Sequence, residues 1–300
     1  MIELLQTGGN AMDWTRSFQR SIDYIEENIT EPLDICDIAR QMNISPFYYQ
    51  KIFSIICGFS VGEYIRNRRL ALAGSELSRS DGKIIDIALK YGYDTPEGFT
   101  RAFVKFHGVS PSAAKKGAPI RSYARLSVTI TMKGGSVMDY KVVQKQAFKV
   151  IEKRTVQSVS ENENLRTIPK FWEESNADGT VEKLLKLSSD KENLLGICYA
   201  NPHKEEATFD YSIAAVIDDN AEIPEGFTVN VIPARTWIVF ECRGAMPDAI
   251  QQLWHKICSE FFPSSSYEPT YEMDVEAYKD GDMSSPDYRS EIWVPVKDKA

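Results

Sequence analysis

Four side chains between residues 47 and 51 have the chemistry to read a nucleic acid: Phe47, Tyr48, Gln50 and Lys51. A glutamine amide pairs bidentately with adenine, a lysine ammonium reaches guanine or phosphate, and aromatic rings pack on thymine methyls or sugars. Ser45 and Pro46 precede them as N-cap and first helical residue, so all four fall near a helix N-terminus, the part that approaches base edges. A second set, Thr95, Pro96, Glu97, Arg101 and Lys105, lies further along. Glu97 repels phosphate and Gly98 has no side chain for readout. This set is expected to hold the DNA backbone through Thr95, Arg101 and Lys105 more than to specify sequence.

A third set is near the C-terminus. Glu291 and Trp293 alternate with Ile292, Val294 and Val296, so a strand there presents the acid and the indole on one face and the aliphatics on the other. If the aliphatics pack under helices, Glu291 and Trp293 line the opposite, concave face. A carboxylate beside aromatics in a partly dry cleft favours a bulky cation. Trp172, Tyr199, Tyr211 and Trp237 are candidate walls, with Trp254 near them in order. The same pattern also fits a solvated edge carboxylate with core tryptophans.

The positioning elements follow from periodicity. Ile35, Ile38, Ala39 and Met42, then Tyr49, Ile52, Phe53 and Ile56, have the i, i+3, i+4, i+7 spacing of one helix face. The pattern returns as Ile84, Ile87, Ala88 and Tyr91, then Phe99, Ala102, Phe103 and Phe106. Each pair reads as a helix-turn-helix. Helices are predicted over 13–28, 33–42, 46–58, 61–77, 83–91 and 96–106, with a last short turn from Ser110-Pro111. The long helix 61–77 spans about 26 Å at 1.5 Å per residue. That length suits two reading helices on successive turns of DNA. Arg66, Arg68 and Arg69 on it fit phosphate contacts and internal ion pairs equally well.

Beyond a linker-like stretch, with a short strand at Val128, Ile130 and Met132 and a hinge at Gly134-Gly135, the pattern becomes α+β. Strands are predicted over 140–145, 148–155, 194–200, 209–217, 228–232, 236–243, 271–278 and 289–297, and helices over 168–175, 180–187 and 247–262. Phe148–Ile151 matches Trp237–Phe240, Trp172 matches Trp254, and the strand after Asp210 matches the one after Tyr288. This reads as an internal duplication forming two strand-helix-strand halves around a ligand cleft. The domains expected are therefore 13–116, a linker over 117–137, and 138–300, with residues 1–11 as a leader.

Composition narrows the function classes. The chain has 300 residues, 43% of them apolar, and a net charge of −8. Residues 1–135 carry 17 basic and 14 acidic side chains, or +3, and residues 136–300 carry 18 and 29, or −11. The acidity belongs to the second half, and DNA affinity is expected to be modest and salt-sensitive. No apolar run reaches membrane-spanning length, and no secretion signal is present, so a cytoplasmic protein is expected. Five dispersed cysteines without a CxxC pair indicate neither a disulfide framework nor a thiolate metal site. His107, His203 and His255 are isolated, and no nucleophilic triad, metal-ligand spacing or phosphate-binding glycine loop stands out, so no enzyme and no cofactor are expected.

Residues 13–115 resemble the DNA-binding domain of the AraC/XylS family, in DIARQMNISPFYYQKIF, GFSVGEYIRNRRLALA, IIDIALKYGYDTPEGFTRAF and HGVSP. Lys51, where that family often has Arg, and Ala114-Lys115, where it often has Tyr-Arg, depart from the pattern. The resemblance implies a seven-helix domain on double-stranded promoter DNA. It assigns Phe47, Tyr48, Gln50 and Lys51 to the first reading helix and Thr95, Pro96, Glu97 and Arg101 to the second. Residues 139–298 resemble the GyrI-like effector-binding domain, in FKVIEKR, IPKFW, NLLGICY, FDYSIAAV, VIPARTWIVFECRG and SEIWVPVK. That resemblance implies a small amphipathic or cationic effector and places Glu291 in its pocket. RNA polymerase is a further expected partner, and two reading helices in one chain make a monomer or weak dimer sufficient. A hydrolase using the Glu291 pocket and a drug-sequestering protein are the alternatives.

Overall fold

The computed structural model describes residues 11–128, 137–159, 162–191, 193–200 and 208–299. The first half is all helix. Helix α1 (Ala11–Glu27) is followed by α2 (Ile35–Arg40) and α3 (Pro46–Cys57), then by α4 (Val61–Leu77). The second helix-turn-helix is α5 (Ile84–Lys90) and α6 (Pro96–His107), and α7 (Pro111–Lys115) closes the set. Caps set the boundaries. The Ser45, Ser60, Thr95 and Ser110 hydroxyls each accept a backbone N–H at a helix start. Gly58 and Gly108 end α3 and α6 in the left-handed conformation, at φ of 77° and 79°.

Two clusters hold these helices. Phe18, Ile22 and Ile25 pack on Ile38, Tyr49, Phe53 and Tyr64. Leu70, Leu77, Ile87, Phe99 and Phe103 form the other. Helix α4 contributes Tyr64 to the first and Leu70 to the second, so it is the rod joining the two units. Arg68 and Arg69 serve internal structure. Arg68 pairs with Glu26 at 2.6 Å and also bonds the Tyr123 carbonyl. Arg69 donates to the carbonyls of Ile29 and Glu31.

The chain after α7 is a strap rather than a loose linker. Tyr123, Leu126 and Val128 pack on the first cluster, and Leu126 N–H donates to the Tyr64 hydroxyl at 3.0 Å. Val128, expected in a strand, donates its N–H to the Gln19 side chain and joins no ladder. Ile130, Met132 and the Gly134-Gly135 hinge lie outside the described residues.

The second half is one antiparallel sheet with helices on one face. Strands β1 (Tyr140–Lys145) and β2 (Phe148–Ser158) precede α8 (Asn164–Ala177) and α9 (Thr180–Leu187). β3 (Asn193–Tyr199), β4 (Thr208–Ile217), β5 (Thr228–Ile232) and β6 (Arg235–Arg243) follow. Helix α10 (Asp248–Lys256) runs on into a π-helical turn, Ile257–Phe261, within the single helix expected there. β7 (Tyr267–Pro269), β8 (Met273–Lys279) and β9 (Arg289–Asp298) complete the sheet.

The sheet order is β1-β6-β9-β8-β3-β4-β2-β5, with β7 on β9. Read inward from both ends, it pairs β1 with β5, β6 with β2, β9 with β4 and β8 with β3. The two repeats are thus related by a pseudo-twofold axis between β3 and β8, and they exchange their first strands. Side-chain alternation gives the sheet two buried faces. Cys198, Tyr211, Ile213, Phe240, Asp274, Glu276, Ile292 and Val294 point to the helix-covered face, with registers Cys198↔Asp274, Gly196↔Glu276 and Glu276↔Ile292. Val150, Ile197, Tyr199, Trp237, Val275 and Trp293 form a separate cluster on the other.

Candidate effector cleft and DNA-reading helices

On the helix-covered face, β8 presents Asp274 and Glu276 side by side, two residues or about 7 Å apart along the strand. Aromatic donors hold the second carboxylate. Trp254 Nε1 on α10 donates to Glu276 Oε1 at 2.7 Å, and the Tyr278 hydroxyl donates to Oε2 at 2.6 Å. Trp172 on α8 stacks edge-on against Tyr278, at 5.3 Å between centroids, and donates its Nε1 to the Tyr211 hydroxyl at 2.7 Å. Burial, with Glu276 nearby, holds the Tyr211 and Tyr278 phenols well above their ordinary pKa, so both stay protonated. The groove between α8 and α10 is therefore acidic at its floor and aromatic at its walls.

Helix α3 lies in this groove. Lys51 Nζ is 2.8 Å from both oxygens of Asp274 and 4.3 Å from the centre of the Trp254 ring. The Tyr48 hydroxyl donates to Asp274 Oδ2 at 3.1 Å, and its ring meets Tyr271 edge-on. Phe47 stacks on Phe209 at 4.3 Å, and the Ser54 hydroxyl donates to the Asn162 amide oxygen at 2.6 Å. Burial works against the Lys51 ammonium, but Asp274, with Glu276 behind it, outweighs burial and raises its pKa. Burial and then Asp274 push the Tyr48 phenol well up.

The two groups of predicted reading residues consequently meet different fates. Ser45 caps α3, but Phe47, Tyr48 and Gln50 are only 2%, 6% and 8% exposed. The Gln50 amide is turned back on the Pro46 carbonyl at 3.4 Å. In this arrangement none of the three can reach a base, and Lys51 is committed to Asp274. On α6, by contrast, Thr95, Pro96, Glu97, Arg101 and Lys105 are all exposed.

The predicted ligand residues are also divided. Trp172 and Tyr211 stand together at the groove. Glu291, Trp293, Tyr199 and Trp237 lie across the sheet, and the structure does not bring them to the first pair. Glu291 accepts from Trp293 Nε1 at 2.7 Å, and Lys145 Nζ already sits 4.1 Å over the Trp293 ring. Trp237 is wholly buried against Trp293, and Tyr199 donates to Glu152 at 2.7 Å. The expected alternation along β9 is present, with Ile292, Val294 and Val296 under the helices. The groove with its acids, filled here by α3, is nevertheless on that helix side, and its carboxylates come from β8. Asp274, Glu276 and Tyr278 were visible in the sequence only as the polar half of an alternating strand, the pattern an ordinary solvated face also gives.

The fold and site define the class: an AraC-type helix-turn-helix domain joined to a GyrI-like effector-binding domain. The model of the family described as integron-associated effector binding protein matches residues 141–296, and a helix-turn-helix domain model matches residues 38–117. The chain belongs to that effector-binding family and carries the AraC-type domain ahead of it. Regulatory protein SoxS of Salmonella typhimurium is 37% identical over 101 residues, 34% of this chain and 94% of SoxS. The transcriptional activator AarP of Providencia stuartii is 40% identical over 89 residues, 30% of this chain and 66% of AarP. The chain thus spans slightly less than two thirds of AarP. A solved structure of SAV2435 bound to tetraphenylphosphonium is 26% identical with a TM-score of 0.48, covering 53% of this chain and 94% of that one. Among the described residues, no helix is long and apolar enough to cross a membrane.

Proposed function

We propose that this protein is a cytoplasmic transcriptional regulator, not an enzyme. It binds double-stranded promoter DNA through residues 13–116 and senses a small amphipathic cation through residues 138–300, with 117–137 as the connector. Similarity to SoxS and AarP supports the regulatory half of this reading. Two reading helices in one chain make a monomer sufficient, and an activating role would bring RNA polymerase as a further partner.

The observation that carries the effector half is the seating of Glu276 between Trp254 and Tyr278, beside Asp274. A carboxylate on a sheet floor with aromatic walls binds an organic cation through charge and cation–π attraction, the latter worth about 2 kcal/mol when desolvated. Trp172 and Tyr211 are proposed walls. The test is calorimetry on the full chain with 4-phenylbutylammonium and its neutral counterpart 4-phenylbutanol. Wild type should prefer the cation, and Glu276→Gln should lose that preference while Glu291→Gln keeps it. Equal affinity for both compounds in wild type would remove the cation reading. Loss of preference only in Glu291→Gln would move the site to the other face of the sheet.

A further inference from the structure

The groove is already occupied, and its occupant is the helix meant for DNA. Lys51 supplies an ammonium to Asp274 and lays it over Trp254, while Phe47 and Tyr48 supply aromatic rings to Phe209 and Tyr271. A cationic head flanked by aromatics is the chemistry the cleft selects. What remains beside α3 is a cavity of about 40 Å³, lined by Tyr48, Lys51, Trp254, Cys258, Tyr271 and Asp274. That is room for one or two waters, not for an organic molecule.

We propose that α3 is a built-in competitor for the effector: a small organic cation and the DNA-reading helix exclude one another from the Asp274–Trp254 cleft. Effector binding then raises DNA affinity by freeing α3. This rests on the effector-binding reading above.

First, the same side chains cannot serve both partners. Phe47, Tyr48 and Gln50 are buried and Lys51 is ion-paired, so the docked chain can offer DNA only α6. Second, a ligand that takes Asp274 must displace an ammonium, because the carboxylate is buried and both its oxygens already bond Lys51. Third, linkage is reciprocal. A ligand that binds only the undocked form shifts the population toward it, and DNA binding to α3 in turn raises affinity for the ligand.

Three measurements on the full chain test the proposal with 4-phenylbutylammonium and a duplex from the regulatory region upstream of the protein's own gene. DNA affinity is read by fluorescence anisotropy, and protection of the α3 amides by hydrogen exchange. Saturating cation should raise DNA affinity at least ten-fold and deprotect α3 while leaving α6 unchanged. Asp274→Asn should raise DNA affinity without cation and abolish the cation's further effect. Tyr271→Asn, which suits the backbone there at φ 58° and removes a ring at the margin of the sheet core, should also raise DNA affinity. Cation that binds but leaves both DNA affinity and α3 protection unmoved would overturn the proposal. Wild-type DNA affinity in both variants would do the same. If no cation binds, the effector reading fails, and the two variants still decide whether the docked helix is withheld from DNA.

Discussion

The ammonium of Lys51 and the carboxylate of Asp274 form an ion pair between the two halves of the chain, at 2.8 Å, with side chains 16% and 2% exposed. Removing one member of so enclosed a pair leaves an uncompensated charge and costs up to about 3–5 kcal/mol, whereas replacing both by apolar groups is often neutral. Lys51→Met and Asp274→Leu should therefore each destabilise the full chain, and the double variant should recover most of the loss. Urea denaturation across the four proteins gives the coupling. Additive losses would mean that the pair does not hold the halves together.

Gly196 faces Glu276 across β3 and β8, and a Cβ there would collide with the Tyr211 hydroxyl and stand 3.3 Å from the Tyr278 ring. The glycine lets Tyr211 lie over the strand and receive the Trp172 N–H. Gly196→Ala should cost about 1–3 kcal/mol as overpacking. Removing the colliding hydroxyl should relieve it, so Gly196→Ala with Tyr211→Phe should melt above Gly196→Ala alone. If the second change gives no relief, the strain lies with Tyr278.

Much of this architecture is legible in the residues, and the exceptions have physical causes. Local period gives the helices of both helix-turn-helix units, because each needs one apolar face against its neighbour. The Phe148 and Trp237 strands are equivalent, as their pattern indicates, since β2 and β6 occupy matching places in the sheet order. The exchange of β1 and β5 between repeats has no local signature, because strand pairing is a long-range choice. Glu291 and Glu276 show the same limit. Alternation tells which residues share a face, but both faces of this sheet are buried, and only the placement of α8 and α10 tells which one forms the groove. Phe47 and Tyr48 are aromatic groups on the face of α3 expected to read DNA. Their types announce a partner without distinguishing a thymine methyl from Phe209.

Helix α6 remains outside the interdomain contact, so its basic residues should act whether or not the cleft is filled. Arg101→Ala and Lys105→Ala should each weaken DNA binding across sequences and reduce the slope of log affinity against log salt by about 1. The decrease should be the same with and without 4-phenylbutylammonium. An unchanged slope would show that these side chains do not meet phosphate.

His107 gives the helical half a built-in acid sensitivity. Its Nε2–H donates to the Leu70 carbonyl at 3.0 Å, and its Nδ1 accepts the Arg121 N–H at 3.1 Å, so the ring is held neutral between α4, α6 and the strap. The packing leaves no slack: a Cβ on Gly74 would be 2.6 Å from the ring. Burial, with the Arg121 charge adding to it, lowers the pKa from the ordinary 6.5, and the Leu70 bond opposes them. A histidine with a depressed folded-state pKa binds fewer protons folded than unfolded, so its contribution is complete above pH 6.5 and is lost as pH falls below it. Protonation would also set an N–H at Nδ1 against the Arg121 donor. The melting temperature should therefore fall between pH 7 and 5.5 in wild type and fall less in His107→Gln, compared in matched buffers. Parallel curves would show that another group carries the pH dependence, and that His107 is a packing residue alone.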